Sequence, residues 1–233
     1  MKIPIIFEDE NFLALNKPAN LLVEPTKNSQ KKTLIDFLKE KLPQNKKFDS
    51  QRFGLVHRLD KETSGVLLVA KNKSFFNYLK KLFKERKIKK EYLALVYGWA
   101  NKKRGEINLP IGWGGKLKTT DKKARKRKPA LTFFELIKKI KGQEKYSLLK
   151  VFPKTGRTNQ IRIHLAKIGL PIVGDKIYGR KKSLPEETKR LKRQFLHCLA
   201  LEFLLPNKKT KIRIESDLAK DLKEFLKMIN PET

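Results

Sequence analysis

The segment His57-Arg58-Leu59-Asp60-Lys61-Glu62-Thr63-Ser64-Gly65 sets an aspartate between two cations and opens directly into the apolar run Val66 to Ala70. Arg58 and Lys61 favour the ionised form of Asp60, and an ionised carboxylate can serve as a nucleophile or a base. Polar loops held by strands often carry such groups. Taken alone, Asp60 is better explained as a turn cap or an ordinary ion pair. A second polar stretch, Pro153 to His164, is a glycine turn feeding a helical pattern. Ile161, Leu165 and Ile168 fall at i, i+4 and i+7 and form the expected core stripe, while Thr158 and Arg162 share another face. An arginine there can fork onto a carboxylate through two parallel N–H bonds, or contact a phosphate or a surface carboxylate.

The elements that must position these groups follow from hydrophobic period. Strands are expected over Ile3–Phe7, Phe12–Asn16, Val66–Ala70, Tyr92–Trp99, Leu131–Ile137, Tyr146–Phe152, Phe195–Leu204 and Lys211–Ile214. Helices are expected from the Thr33 cap to Leu42, with Pro43 beyond the end, and through Phe75, Leu79, Leu82 and Phe83 after Asn72 or Ser74. A last helix should start at a Ser216 cap and bury Leu218, Leu222, Phe225 and Ile229 on one face. Repeats and Pro, Gly or Ser linkers are absent from the sequence, so one domain over residues 1–233 is expected. Strands outnumber helices, which supports the α+β class.

Composition narrows the partner. Lysine and arginine number 56 against 24 acidic residues, a net charge of +32, while 39% hydrophobic residues are ample for a folded core. Such an excess suits a polyanion, and nucleic acid leads because each neutralised phosphate releases counterion. The longest apolar stretch, around Gly65 to Ala70, falls far short of the roughly 20 residues that cross a bilayer. Glu8, Asp9 and Glu10 interrupt the first apolar run before any cleavage-like region, so a cytoplasmic protein that does not engage membranes is expected. The run Lys116 to Lys128, which holds Lys122, Lys123, Arg125 and Arg127, is expected as a loop, either solvated or in contact with nucleic acid. His57, His164 and His197 sit in basic segments without a serine or cysteine nucleophile motif and read as structural or RNA-contacting. Cys198, in an apolar strand, reads as a buried inert thiol. One cysteine and three scattered histidines make no zinc pattern, so neither metal nor cofactor is expected.

Lys90-Glu91-Tyr92 with its strand, the block Gly174-Asp175-Lys176-Ile177-Tyr178-Gly179 and Leu196-His197 complete an ordered series of motifs. With them the sequence resembles the RluA-like family of pseudouridine synthases, whose pattern H-R-L-D-x-x-T-S-G matches residues 57 to 65 without a mismatch. The likeness also covers Glu8-Asp9-Glu10, the Asn16-Lys17-Pro18 turn, Lys90 to Gly98, and Thr155 to His164. It implies one catalytic domain on a largely antiparallel mixed sheet flanked by helices and basic loops, acting as a monomer on ribosomal or transfer RNA. It implies that Asp60 is the catalytic carboxylate, that Tyr92 stacks on the flipped target base and is available to assist proton transfer, and that Arg162 pairs with Asp60. Arg58, Arg157, Lys122, Lys123, Arg125 and Arg127 are the expected RNA contacts. The chain departs from the pattern at Asn159, where histidine is usual, at Asn20, where glycine is usual, and at Glu24, often histidine. It also begins at the catalytic domain, so a small accessory RNA-binding domain is not expected. Two other functions are weighed: a non-catalytic RNA-binding or ribosome-associated protein, which the charge fits equally, and a nucleoside hydrolase-like glycosidase, which would need a second carboxylate or a metal.

Overall fold

Apolar alternation and helix caps produce the elements at nearly the expected places, and the computed structural model describes residues 2–25, 32–180, 184–206 and 209–230. The first strands are β1 (Ile5–Glu8) and β2 (Phe12–Lys17). Helix α1 (Leu34–Lys41) starts at Thr33, whose hydroxyl accepts the Asp36 N–H while the Asp36 carboxylate accepts the Thr33 N–H. A 3-10 turn at Pro43–Lys47 leads to β3 (Ser64–Ala70), buried along its whole length. Asn72 caps α2 (Lys73–Lys84) by accepting the Phe75 N–H at 2.9 Å. The strands β4 (Lys89–Tyr97), β5 (Arg104–Asn108), β6 (Ile111–Gly114), β7 (Leu117–Thr119), β8 (Arg125–Lys128), β9 (Leu131–Lys141) and β10 (Lys145–Pro153) follow. The chain continues through α3 (Gln160–Lys167), α4 (Glu186–Lys189), β11 (Leu196–Leu204), β12 (Lys211–Glu215) and α5 (Lys220–Ile229). The class is α+β with largely antiparallel strands, as expected.

The chain divides into two compact units, residues 1–89 with 198–217 and residues 90–197 with 218–233. In unit one the strand order is β1-β2-β3-β11, with β12 antiparallel to β11. Phe12 stacks on Phe75 of α2 at 5.2 Å and meets Phe203 of β11 edge-on, which joins helix and sheet in one aromatic core. In unit two the order is β4-β10-β9-β5, all antiparallel, with Tyr92 opposite Val151 and Val151 opposite Phe134. Helix α3 lies against β9 and β10, and α5 buries Leu222, Phe225 and Ile229. No helix among the described residues is long and apolar enough to cross a membrane.

Three expectations are corrected. The last helix is capped at Ala219, because the Ser216 hydroxyl is engaged instead with the Cys198 carbonyl. Ile168 is 40% exposed rather than core, since α3 ends at Lys167 and Ile168 is its C-cap. The Lys116 to Lys128 run is not an irregular loop: β7 and β8 flank β6 in a separate three-stranded sheet. A fully charged strand is possible there because β8 satisfies its backbone against β6 while all four of its side chains stay exposed. Cys198 is buried as expected.

Gly65, the last residue of the Asp60 segment, has φ +112°, and a Cβ there would stand 2.1 Å from the Cys198 carbonyl oxygen on β11. Only glycine lets the two backbones approach this closely. Gly65→Ala should therefore cost at least about 2 kcal/mol in urea denaturation, whereas Gly156→Ala should stay within about 0.5 kcal/mol. At Gly156 a Cβ would meet nothing within 4 Å. Equal small effects at both positions would contradict the packing argument.

Candidate active site

In unit one the loop before β3 carries Asp60. Leu59 is buried beneath it, Asp60 itself is half-buried, and the Thr63 N–H closes a turn onto the Asp60 carbonyl at 3.1 Å. The loop is braced by Lys17, a fully buried lysine at the end of β2. Its Nζ donates to the carbonyls of Pro18 (2.7 Å), Leu21 (3.0 Å) and Lys61 (3.1 Å). An ammonium taken from water needs such acceptors, so it pulls the Lys17-Pro18 turn and the residue after Asp60 together. Asn20 in that turn has φ +62°, the left-handed conformation its side chain tolerates after glycine. His57 Nε2 accepts the Leu68 N–H at 2.8 Å and its ring stacks on Phe83, a structural role. Arg58 is exposed, and its Nη1 reaches Glu24 at 2.7 Å; the other Glu24 oxygen pairs with Arg52 at 2.7 Å.

In unit two, Tyr92 lies on β4, only 9% exposed, and two residues before it Lys90 donates to the Thr155 carbonyl at 3.1 Å, which ties this strand to the α3 loop. The loop is held by a chain of polar contacts. The Leu131 N–H donates to Thr155, Thr155 donates to Gln160 Oε1 (2.7 Å), and Gln160 Nε2 donates to Thr132 Oγ1 (2.9 Å). Thr132 in turn lies 2.9 Å from His164 Nδ1, and His164 Nε2 lies 2.9 Å from the Leu109 carbonyl. A carbonyl only accepts, so Nε2 carries the proton and Nδ1 accepts from Thr132. Burial lowers the His164 pKa against the opposing pull of the Leu109 carbonyl, which keeps the ring neutral. Arg157 uses its amide on Gln160 and its Nε on the Pro129 carbonyl.

Arg162 is buried on α3, and its fork is occupied within this unit. Nε donates to Asp175 Oδ2 and Nη2 to Asp175 Oδ1, both at 2.7 Å, with side-chain exposures of 7% and 0%. Nη1 donates to Asn159 Oδ1 at 3.1 Å, and the guanidinium stands 5.2 Å from the Tyr178 ring centroid. These bonds engage three of the five N–H groups of a guanidinium. Asp175 also accepts the Ile177 and Tyr178 N–H groups at 2.9 and 3.0 Å. Burial would raise the Asp175 pKa, but hydrogen bonding and charge from Arg162, then the Tyr178 and Ile177 amides, hold it below the ordinary carboxylate value. Asn159, at φ +57°, keeps an acceptor on Arg162 and sets its Nδ2 3.4 Å from the Tyr178 hydroxyl.

Arg58 and Asp60 thus lie in unit one, and Tyr92, Arg157, Arg162 and the basic strands in unit two. Lys122, Lys123, Arg125 and Arg127 are all exposed. Sequence reasoning missed Lys17 and the pairing of Asp175 with Arg162, although the Asn16-Lys17-Pro18 and Gly174–Gly179 blocks containing them stood out. A lysine and an aspartate inside otherwise turn-forming motifs were the available signal.

Comparison with known proteins places the chain in a family. The family described as RNA pseudouridylate synthase matches residues 11–167. Ribosomal large subunit pseudouridine synthase D of Nitrosomonas europaea is 36% identical over 97% of this chain and 65% of its own length. Ribosomal large subunit pseudouridine synthase C of Buchnera aphidicola is 37% identical over 97% of this chain and 70% of its own. The chain therefore spans about two thirds of the length of these relatives. Human RNA pseudouridylate synthase domain containing 1 superimposes with a TM-score of 0.75 at 27% identity, covering 93% of this chain and 84% of that one.

Removing one partner of a buried bidentate pair leaves an uncompensated charge, so Asp175→Ala should cost about 3–5 kcal/mol in urea denaturation at neutral pH, and Asp175→Asn less. The lowered folded-state pKa means that the pair's stabilisation is complete above the ordinary carboxylate value near ~3.9 and is lost as pH falls through the folded value. The difference between parent and Asp175→Ala should accordingly shrink on going to about pH 3. A cost under about 1 kcal/mol at neutral pH would place the pair among ordinary surface contacts.

Proposed function

The chain belongs to the RNA pseudouridylate synthase family, and on that footing we propose that it isomerises specific uridines in RNA to pseudouridine with Asp60 as the catalytic carboxylate. The observation that carries the reading is the family match over residues 11–167, which takes in Asp60, Tyr92 and Arg162. The reaction breaks the N1–C1′ glycosidic bond, turns the uracil and rejoins it through C5. C5 gives up a proton and N1 gains one, so the formula and the oxidation state are unchanged. An ionised carboxylate suits attack on C1′, addition to the base, or removal of a sugar proton. Tyr92 is the proposed stacking surface for the target base and Arg162 the cation that favours the ionised carboxylate. Flipping a base from folded RNA costs a few kcal/mol, which stacking and phosphate contacts offset. The names of the relatives favour a ribosomal RNA uridine over one in transfer RNA. This reading takes residues 1–233 as one catalytic domain, cytoplasmic and monomeric. A non-catalytic RNA binder would share the charge but has no use for a carboxylate on a loop braced by a buried lysine.

With purified protein and an RNA substrate, Asp60→Asn should abolish pseudouridine formation while RNA affinity stays within a few-fold, because a carboxylate attracts no phosphate. Retained turnover would sink the assignment. Each phosphate contact contributes about 0.7 to 0.9 to the slope of log affinity against log salt. Neutralising Lys122, Lys123, Arg125 and Arg127 together should flatten that slope by up to roughly three units, with similar losses for different RNAs. A slope matching the parent would reduce the run to solvated charge.

A further inference from the structure

The three-stranded sheet of β6, β7 and β8 carries more than charge. Between residues 111 and 128 there are eight basic side chains against one carboxylate, Asp121. Its central strand β6 presents Trp113, which is 45% exposed although indole is among the costliest groups to leave in water. Trp113 is opposite Lys118 on β7 and Arg125 on β8, so a basic residue is its register partner on each neighbouring strand. The Lys118 ammonium lies 3.6 Å from the ring centroid. The register of β8 slips between the partners of Ile111 and Trp113, and Lys126 within the slip has φ +50°, the mark of a bulge that re-aims side chains. Both neighbours of Trp113 are glycines that let β7 and β8 close in: a Cβ at Gly112 would fall 2.6 Å from the Arg125 carbonyl, and one at Gly114 2.6 Å from Thr119 Cγ2.

The sheet is rooted at α3. Ile111 is buried with Ala130 and with Ile163 of α3, and Tyr178, whose ring faces Arg162, packs on the same cluster. Trp113 is two residues along β6 from that root, about 7 Å at the strand rise. An exposed aromatic flanked by cations is the recognition element for a nucleobase with a free face, since the ring stacks on the base while the cations meet its phosphates. Bases inside a duplex offer no such face.

We propose that Trp113, between Lys118 and Arg125, is a stacking platform for an unpaired base of the RNA, a contact separate from the one proposed for the target uridine. The proposal rests on RNA being the partner and adds single-stranded character to it. Trp99 is the rival aromatic: it is 37% exposed, with Lys145 and Lys139 at 4.7 and 5.6 Å from its ring.

The chain has two tryptophans, so intrinsic fluorescence separates the two sites. Full-length Trp99→Phe and Trp113→Phe are titrated with an RNA hairpin bearing an unpaired loop and with a blunt duplex of equal length, and binding is followed in parallel by polarisation of labelled RNA. Emission from Trp99→Phe, which keeps Trp113, should be quenched by the hairpin and far less by the duplex, and emission from Trp113→Phe should change little. Trp113→Ala should weaken hairpin binding about tenfold and duplex binding much less. RNA binding without quenching of Trp113, equal quenching by duplex, or quenching confined to Trp99 would each overturn the proposal. Quenching is read without turnover, so a chain that stacks the hairpin yet forms no pseudouridine would refute the proposed reaction and leave the platform standing.

Discussion

Both units take cations out of water, Lys17 in the first and Arg162 and Arg193 in the second, and at Lys17 and Arg162 satisfying that charge dictates the conformation of the loops around it. Desolvating an ammonium or guanidinium costs several kcal/mol unless acceptors surround it. Lys17 meets this demand with the carbonyls of Pro18, Leu21 and Lys61, so the residue after Asp60 is held against the end of β2. Arg162 meets it with the Asp175 carboxylate and Asn159, and Asp175 in turn gathers the Ile177 and Tyr178 amides. In both units a turn with little apolar surface of its own is fixed by a buried charge in place of side-chain packing.

This division explains what was legible in the sequence. Elements whose order comes from apolar period, such as β3, α2 and β10, appear within a few residues of their expected places, and the caps at Thr33 and Asn72 follow from local hydrogen bonding. The basic strand β8 was illegible because it is stabilised by backbone pairing with β6 and has no buried side chain to set a period. Ser216 has the right residue type for a cap, but a tertiary partner, the Cys198 carbonyl, claims its hydroxyl. The Arg162–Asp175 pair joins residues 13 apart across a helix end and a turn, a separation no local pattern encodes. Asn20 shows the converse: it stands where the resembled family usually has glycine, and its backbone is left-handed.

The polar chain from Thr155 through Gln160 and Thr132 to His164 serves the same end by neutral groups. Its donors and acceptors alternate, with His164 kept neutral by burial, so the start of α3 is fixed without added charge beside the Arg162–Asp175 pair. Positive charge is thereby concentrated on exposed surfaces such as β8, where it attracts phosphate at long range, while the buried cations are already committed to protein acceptors. Under the proposed function, surface charge governs affinity and the braced loops govern chemistry, so the two should be separable by mutation.

The central claim, that this chain isomerises uridine in RNA, is tested most directly by mapping pseudouridine at nucleotide resolution in total RNA from cells with and without the gene. The account predicts that one or more uridine positions lose the modification when the gene is absent and regain it when the parent chain, but not Asp60→Asn, is supplied. Identical maps from the two cell lines would contradict it.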